Sequence, residues 1–236
     1  SVVSKGAAAF IFTIVLFTVF KSIVALWQAL IYTIAVATMT LSNLFALRQN
    51  NIKRFLAFSS IAQAGFILLG ILGAGDLGMT AVVYFVLVYV FTNLGAFGVV
   101  SAIYDASGVE TISGYNGLYK TNPNLSLVMT LSLFSLAGIP PVAGFFGKFF
   151  LFTSAAGAGY YILVLIAVLN ATISLYYYLK VVKAMFIDQN DQPIPTFRSS
   201  MAMRIALVVC AVGVFFVGFA SGIFEYIRSI SQLFLN

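Results

Sequence analysis

The chain has 236 residues, of which 62% are hydrophobic and only 8% are charged, and its net charge is +6. Soluble domains carry about 25% charged residues, so the composition predicts a polytopic membrane protein, and long apolar runs favour helices over a barrel. A basic excess in a membrane protein reflects topology, so no nucleic-acid partner is expected. The sequence has no histidine and one cysteine, Cys210, which excludes intrachain disulfides and histidine-based metal or haem sites.

The first predicted span covers about residues 2–20 and carries Lys5 close to its start. On its own, a lysine in this position is typical of an interface anchor, and a buried lysine is the alternative. A basic residue before an apolar run also occurs in signal peptides, but this run ends at Lys21 without a clear small-residue cleavage site. We therefore expect a membrane helix, in a chain that is a fragment of a longer protein.

Two more spans are predicted at about residues 23–47 and 55–72, joined by the basic turn Arg48–Arg54. Polar residues in the far half of the second span are interpreted as interhelical hydrogen-bonding groups; they are Thr38, Thr40, Ser42 and Asn43. The third span contains Ser59, Ser60 and Gln63 in its first half. These three residues are candidates for lining a water path, with ordinary helix packing as the alternative.

A fourth span is predicted at about residues 79–104, with Thr92 and Asn93 interrupting it near the middle. The segment before it, 73–78, is predicted to be a loop. The segment after it, 105–124, contains several turn residues. Its length predicts a surface loop that holds a short amphipathic piece.

The fifth span, about residues 125–156, contains two consecutive prolines, Pro140 and Pro141. A helix cannot run straight through them, because proline lacks the N–H group and clashes with the preceding turn. Gly138, Gly144 and Gly147 loosen the backbone on either side. Carbonyls left free in hydrocarbon cost several kcal/mol each. The pattern therefore predicts a discontinuous helix, unwound between about 137 and 144, that faces protein or a hydrated cavity.

Lys148 follows Pro141 by seven residues, about two helical turns, which places it near the middle of the membrane. Apolar residues flank it on both sides for a full turn. A lysine within the membrane is by default a functional-site hypothesis. The alternative is a lysine whose amine snorkels to the interface.

The sixth span, about residues 160–186, contains Tyr176, Tyr177 and Tyr178, followed by Lys180 and Lys183. We interpret the tyrosines as an interfacial aromatic belt and the two lysines as anchors beyond it. A polar segment follows at 188–200. The seventh span is predicted at about 201–219 and is followed by an amphipathic tail at 221–236.

Seven spans alternate between the two sides of the membrane, and the side that holds the start of the first span is called side A. Eight basic residues are assigned to side A and two to side B, so side A corresponds to the cytoplasm or its organellar equivalent. The side A residues are Arg48, Lys53, Arg54, Lys120, Lys180, Lys183, Arg198 and Arg204; those on side B are Lys21 and Arg228. All six acids lie in loops or at helix ends. Lys5 and Lys148 therefore either exchange protons themselves or pair with acids from elsewhere.

Two stretches resemble the antiporter-like proton-pumping subunits of respiratory complex I, namely NLFALRQNNIKRFLAFSSIAQAGFILLG at 43–70 and LSLFSLAGIPPVAGFFGKFFLF at 131–152. The first is similar to the whole superfamily, which includes the Mrp-type sodium/proton antiporters. The second is more discriminating, because GFFGKF with its lysine resembles the subunit N branch, whereas the sister subunit M branch has glutamate there. The runs at 176–180 and 117–119 also fit this branch. The resemblance covers essentially all of the chain.

The resemblance implies a fold of fourteen helices with two inverted repeats, of which residues 1–236 match the eighth helix to the fourteenth as one transmembrane domain. The fifth span matches the broken twelfth helix of the family, and Lys148 matches the lysine of that helix. Lys5 resembles the lysine of the eighth helix, which favours a buried and functional Lys5. The family's glutamate on the fifth helix and lysine on the seventh match no position here.

The resemblance also implies a function: proton translocation by a membrane subunit of an NADH:quinone oxidoreductase, relayed through Lys148, Lys5 and water. NAD, FMN, iron–sulfur clusters and quinone are expected in other subunits, because this chain has no glycine-rich phosphate loop and no cysteine set. The implied partners are a neighbouring antiporter-like subunit, small membrane subunits and the lipid bilayer. The implied location is a bacterial inner membrane, with an organellar energy-transducing membrane as the alternative.

Two other functions are compatible with the composition. An Mrp-type subunit would exchange sodium for protons, but lysine repels sodium and no carboxylate is expected at the depth of Lys148. A membrane scaffold without transport would gain nothing from a mid-membrane lysine beside a broken helix. Both alternatives are therefore less favoured than a proton relay.

Overall fold

The computed structural model describes residues 3–73 and 75–235, and their regular structure is helical. Five of the helices are long and apolar enough to cross a membrane. This architecture confirms the prediction of a polytopic α-helical bundle, while the number of seven spans stays a prediction. The helices are α1 (Val3–Thr18), α2 (Val24–Leu47), α3 (Ile52–Leu72), α4 (Gly75–Ser107), α5 (Leu118–Thr121), α6 (Pro123–Ala137), α7 (Ala143–Gly157), α8 (Tyr161–Phe186), α9 (Met201–Phe219) and α10 (Ser221–Leu235).

Helix α3 lies at the centre of the bundle and contacts α1, α2, α4, α7 and α8. It begins at a side-chain cap, because the Asn51 carboxamide oxygen accepts hydrogen bonds from the backbone N–H groups of Lys53 and Arg54. Most of its residues are buried, as expected for a helix that is apolar on every face. The candidate path residues Ser59, Ser60 and Gln63 are therefore in the protein interior.

Helix α4 is longer than predicted, since it begins at Gly75 and continues to Ser107 without interruption at Thr92 or Asn93. Both polar side chains are buried, and Thr92 bonds to the carbonyl of Val88 and to Ser135. A threonine that satisfies its hydroxyl in this way does not break a helix. The two polar residues therefore interrupt the apolar run of the fourth span but not its helix.

The segment after α4 is fixed to the start of α3. Ile52 donates its backbone N–H to Glu110, and Ile112 donates to Asn50. The Glu110 carboxylate lies 2.8 Å from the Lys53 amine and 2.7 Å from the Asn51 amide nitrogen. These contacts hold the pKa of Glu110 below its usual range. Instead of one amphipathic piece, this segment forms a 3₁₀ turn, Ser113–Tyr115, and the short helix α5.

The fifth predicted span is broken as the sequence indicates. Helix α6 ends at Ala137, and Gly138 adopts φ +85°, the left-handed conformation that glycine tolerates at a helix end. The chain then runs through Pro140 and Pro141 before α7 begins at Ala143. Gly144 and Gly147 belong to α7 rather than to the unwound stretch. The predicted discontinuity is therefore confirmed, with a shorter hinge than the glycine pattern suggested.

The three consecutive tyrosines of α8 do not form an aromatic belt. Tyr176 is 67% exposed, but Tyr177 and Tyr178 are 2% and 0% exposed. Their rings pack edge-on against Phe55 of α3. The belt interpretation was wrong for the two buried tyrosines because consecutive residues of a helix face different directions.

Candidate functional site

The Lys148 side chain ends inside the break of the helix. Only 4% of the residue is exposed, and its amine donates hydrogen bonds to the carbonyl oxygens of Leu136 at 2.8 Å and Ala137 at 3.0 Å. The amine also lies 4.8 Å from the centroid of the Phe66 ring. Carbonyls at a helix C-terminus and an aromatic face are both favourable neighbours of an ammonium group. The predicted interior orientation of Lys148 is therefore what the structure describes.

The lysine completes the C-terminal cap of α6. A helix leaves its last four carbonyls without intrahelical partners. The backbone N–H groups of Gly138 and Ile139 supply bonds to the carbonyls of Phe134 and Ser135, and Lys148 supplies bonds to the next two. The amine therefore joins the two half-helices, since it belongs to α7 and binds the end of α6.

The two glycines of α7 allow the half-helices to approach. A Cβ atom on Gly144 would lie 1.8 Å from the backbone oxygen of Ser135, and one on Gly147 would lie 3.0 Å from the Phe85 ring. Neither position has room for a larger residue without a shift of its neighbours. We assign these glycines to close packing, whereas Gly138 supplies the turn.

The Lys5 side chain reaches the middle of α3 from the first turn of α1. Its amine donates a hydrogen bond to the hydroxyl of Ser60, and Ser60 is in turn 2.6 Å from the hydroxyl of Tyr89. The residue is half-buried, at the edge of a groove of about 550 Å³ between α1 and α3 whose other lining is apolar. Although Lys5 is in the first turn of α1, its amine bonds to the middle of α3, and this contact favours the buried position that the family resemblance implies.

The remaining path candidates form a second polar cluster, next to Lys148. The Gln63 amide nitrogen donates to the Leu136 oxygen at 3.1 Å and to the Tyr178 hydroxyl at 3.2 Å. The Tyr178 hydroxyl lies 2.5 Å from that of Ser59. Gln63 and Lys148 therefore share one acceptor, the Leu136 carbonyl. The structure brings the candidate residues together, while their role in proton transfer stays a prediction.

Sequence reasoning missed Tyr178 and Tyr89 as members of these clusters. The signal for Tyr178 was present, because Asn170, Ser174 and Tyr178 recur every four residues along α8 and all three are buried. A third buried network uses the polar half of α2, where Asn43 donates to Asn170 and accepts from Tyr177 at 2.7 Å. The interpretation of Asn43 as an interhelical hydrogen-bonding group is thus consistent with the structure.

Among the described residues, no group of three or more histidine, cysteine, aspartate or glutamate side chains is placed to hold a metal ion. The described carboxylates lie in loops or near helix ends, and Cys210 is buried without a disulfide partner. The chemistry available at the site is therefore that of amines, hydroxyls, an amide and backbone carbonyls.

Comparisons with known proteins agree on one family. Residues 1–174 match the family described as NADH:quinone oxidoreductase/Mrp antiporter, transmembrane. NADH-quinone oxidoreductase subunit N of Phocaeicola vulgatus is 54% identical over 99% of this chain and 50% of its own length. A chain of respiratory complex I from Thermus thermophilus superposes with a TM-score of 0.72 at 31% identity, over 82% of this chain and 44% of that one.

A chain of the Mrp complex from Dietzia sp. superposes with a TM-score of 0.81 at 22% identity, over 89% of this chain and 48% of that one. At this identity the likeness concerns the fold alone. This chain spans about half the length of the curated relatives that it matches.

Proposed function

This chain belongs to the NADH:quinone oxidoreductase/Mrp antiporter transmembrane family, and we propose that it is a proton-translocating membrane subunit of an NADH-quinone oxidoreductase. The observation that carries the proposal is the Lys148 amine, which is buried in the break of a discontinuous helix and bonded to two carbonyls there. Burying an amine costs free energy, so a lysine within the membrane indicates a functional role. A proton carrier is the role that fits an amine held by carbonyls.

The mechanism that we propose is charge coupling between Lys5 and Lys148. Ser60 of α3 binds Lys5, and Gln63, about one helical turn further along α3, binds the same carbonyl as Lys148. Two unit charges separated by about 10 Å repel each other by about 1.7 kcal/mol at an effective dielectric constant of about 20. Such a repulsion changes a protonation equilibrium more than tenfold. A charge that arrives at Lys5 therefore favours release of the proton from Lys148.

Water admitted at the helix break is proposed to carry the released proton onward. Pro140 and Pro141 keep the backbone unwound there, so the break can hold polar molecules that a continuous helix would exclude. Ser59, Ser60 and Gln63, the candidates identified from the sequence, are proposed to line the route. This chain supplies the amines, hydroxyls and carbonyls, while the redox reaction supplies the driving force.

The cofactors and partners follow from the proposed complex. NAD, FMN, iron–sulfur clusters and quinone are assigned to other subunits. A neighbouring antiporter-like subunit and small membrane subunits are assigned as partners. The five apolar helices and the bacterial relatives support a multi-pass protein of the bacterial inner membrane.

Sodium/proton exchange, as in an Mrp antiporter, is the second candidate function, and the structural similarity to an Mrp chain is the observation that favours it. Against it stands the chemistry around Lys148, whose described partners are carbonyls and an aromatic ring. A sodium site needs oxygen ligands without a competing ammonium group. A scaffold without transport does not require a buried amine, so a scaffold role does not explain Lys148.

The test compares Lys148→Arg with Lys148→Ala in the full-length protein within the assembled complex. Alanine removes the titratable amine, and arginine keeps a charge that is not released, because its pKa exceeds about 12. Both variants should therefore pump few protons per NADH oxidised. Lys180→Arg, at an exposed lysine of α8, is the control that should pump normally. Wild-type pumping by Lys148→Arg would make Lys148 an electrostatic anchor and refute the proposal.

A further inference from the structure

Tyr178 occupies a position between Lys148 and side A that the proposed relay does not yet use. Its hydroxyl is bonded to Gln63, and Gln63 is bonded to the same carbonyl as Lys148. The residue is completely buried, although a tyrosine hydroxyl in the membrane costs free energy unless it has partners. Tyr178 is therefore connected, through Gln63, to one of the carbonyls that hold the lysine.

Hydrogen-bond geometry fixes the orientation of the Gln63 amide. The Leu136 carbonyl can only accept a hydrogen bond, so the nitrogen of Gln63 must face it and the oxygen must point away. That oxygen is buried and has no hydrogen-bond partner among the described residues. A buried acceptor without a donor is unfavourable. This oxygen can therefore accept a hydrogen bond from a water molecule at the site.

The bond between Tyr178 and Ser59 joins two hydroxyls, and either oxygen can be the donor. A hydroxyl both donates and accepts, so the direction of this bond can reverse. A chain of hydrogen-bonded groups can pass several protons in succession only if the direction of its hydrogen bonds can reverse. The Gln63 amide cannot provide this reversal, because its nitrogen only donates, but the pair of hydroxyls can.

The position of the pair along the helices indicates which side of the membrane it serves. Ser59 is two turns from the start of α3, and Tyr178 is about two turns from the end of α8. Both helix ends lie on side A, where the basic turn Arg48–Arg54 is found. Gln63 is one turn deeper than Ser59, and the Leu136 carbonyl marks the break. The hydroxyl pair thus lies between Lys148 and side A.

On the opposite side of Lys148 the helices are in direct contact. A Cβ atom on Gly70 would lie 2.6 Å from both Leu151 and Val82, and one on Gly73 would lie 2.6 Å from the Ser154 hydroxyl. These contacts between α3, α4 and α7 leave no space for a chain of water molecules at those points. The polar groups connected to Lys148 therefore lead toward side A.

We propose that Tyr178, paired with Ser59, is the gate through which Lys148 exchanges protons with side A. The proposal rests on the proposed function and adds a residue and a direction to it. In each transfer a water molecule at the helix break takes a proton from the Lys148 ammonium and gives one to the Tyr178 oxygen, as Tyr178 donates its own proton to Ser59 and Ser59 releases one toward side A. The hydroxyls therefore end in their original protonation state with the bond reversed. Rotation of both hydroxyl groups then restores the starting arrangement.

The test replaces Tyr178 with phenylalanine in the assembled complex and measures protons pumped per NADH oxidised. Only the oxygen is lost, so the ratio should fall about tenfold while NADH oxidation continues. Tyr176→Phe, at the exposed neighbour, should behave as wild type. Tyr177→Phe removes an equally buried hydroxyl that bonds to Asn43; it should lower thermal stability to a similar extent and leave the ratio unchanged.

Each outcome decides the proposal. A normal ratio in Tyr178→Phe, or an equal fall in Tyr177→Phe, would overturn the gate and leave only a structural clamp. If Tyr178→Phe does not assemble, Ser59→Ala removes the other half of the pair, and a normal ratio in that variant is equally decisive. The proposed function has its own test, because Lys148→Arg can fail to pump whatever Tyr178→Phe does.

Discussion

Replacing Gly138 with alanine tests whether the helix break positions the Lys148 amine. Gly138 has φ +85°, a conformation that costs an L-residue about 1–2 kcal/mol. The added Cβ would also lie 3.0 Å from Lys148 Cδ, inside the optimal carbon–carbon separation of about 3.5–4.0 Å. The lysine stem must therefore move by roughly 0.5 Å or more, which lengthens its bonds to the Leu136 and Ala137 oxygens.

The expected loss follows from the strength of those bonds. A hydrogen bond to a charged group contributes about 1.5–3 kcal/mol, so weakening one of them by half costs about 0.7–1.5 kcal/mol. Since 1.4 kcal/mol corresponds to a factor of ten, we expect Gly138→Ala to pump roughly three to ten times fewer protons per NADH oxidised. The assay uses the assembled complex in proteoliposomes, with a pH-sensitive dye inside.

Gly159→Ala is the matched control for the backbone. Gly159 has φ +87°, almost the same as Gly138, but among the described residues no atom lies within 4 Å of an added Cβ. Both variants should lower the midpoint of thermal inactivation by a similar amount. Only Gly138→Ala should lower the pumping ratio. Equal pumping by the two variants would show that the contact with Lys148 has no functional consequence and would refute the reasoning.

Two further predictions concern assembly and stability. Gly144→Ala should prevent correct packing of the half-helices, because its Cβ would meet the Ser135 oxygen at 1.8 Å, whereas Gly157→Ala, where no described atom lies within 4 Å, should assemble normally on a native gel. Glu110→Gln should lower thermal stability at pH 7, because the pKa of Glu110 is held below its usual range by Lys53 and Asn51. A carboxylate whose pKa is lower in the folded than in the unfolded protein stabilises the fold at pH values above its unfolded pKa. The difference in thermal stability between Glu110→Gln and wild type should therefore disappear as the pH falls to about 4 and below; a difference that persists in acid would contradict this assignment.

The sequence predicted those features that depend on strong local chemistry. Pro140 and Pro141 forbid a continuous helix, so the discontinuity could be located to within a few residues. Lys148 stands alone in an apolar run, so the sequence predicted a lysine within the membrane. Span boundaries were also recovered approximately, because apolar runs long enough to cross a bilayer are rare in soluble chains.

The rest depends on which residues face each other across helices. The sequence does not state that Lys148 binds the end of α6, because the contact joins two elements through a turn whose geometry is set by Gly138. Tyr178 was assigned to the membrane interface since three tyrosines in a row resemble a belt. Only the stripe that it shares with Asn170 and Ser174 separates it from its exposed neighbour Tyr176. Likewise, the sequence does not state that Thr92, in the middle of α4, bonds to Ser135 of α6.

Helix α3 holds the hydrogen-bond partner of Lys5 and a residue that shares an acceptor with Lys148, and this arrangement gives it a mechanical role. Ser60 binds Lys5 and Gln63 binds the carbonyl shared with Lys148. Polar side-chain atoms lie about 5 Å from a helix axis, so a rotation of α3 by roughly 20° would move them by about 2 Å. Such a movement would break the bond between Lys5 and Ser60 and the bond between Gln63 and the Leu136 carbonyl at the same moment. Any subunit that twists α3 would therefore free Lys5 from its partner and leave the Leu136 carbonyl to Lys148 alone, without any change of charge reaching either lysine first.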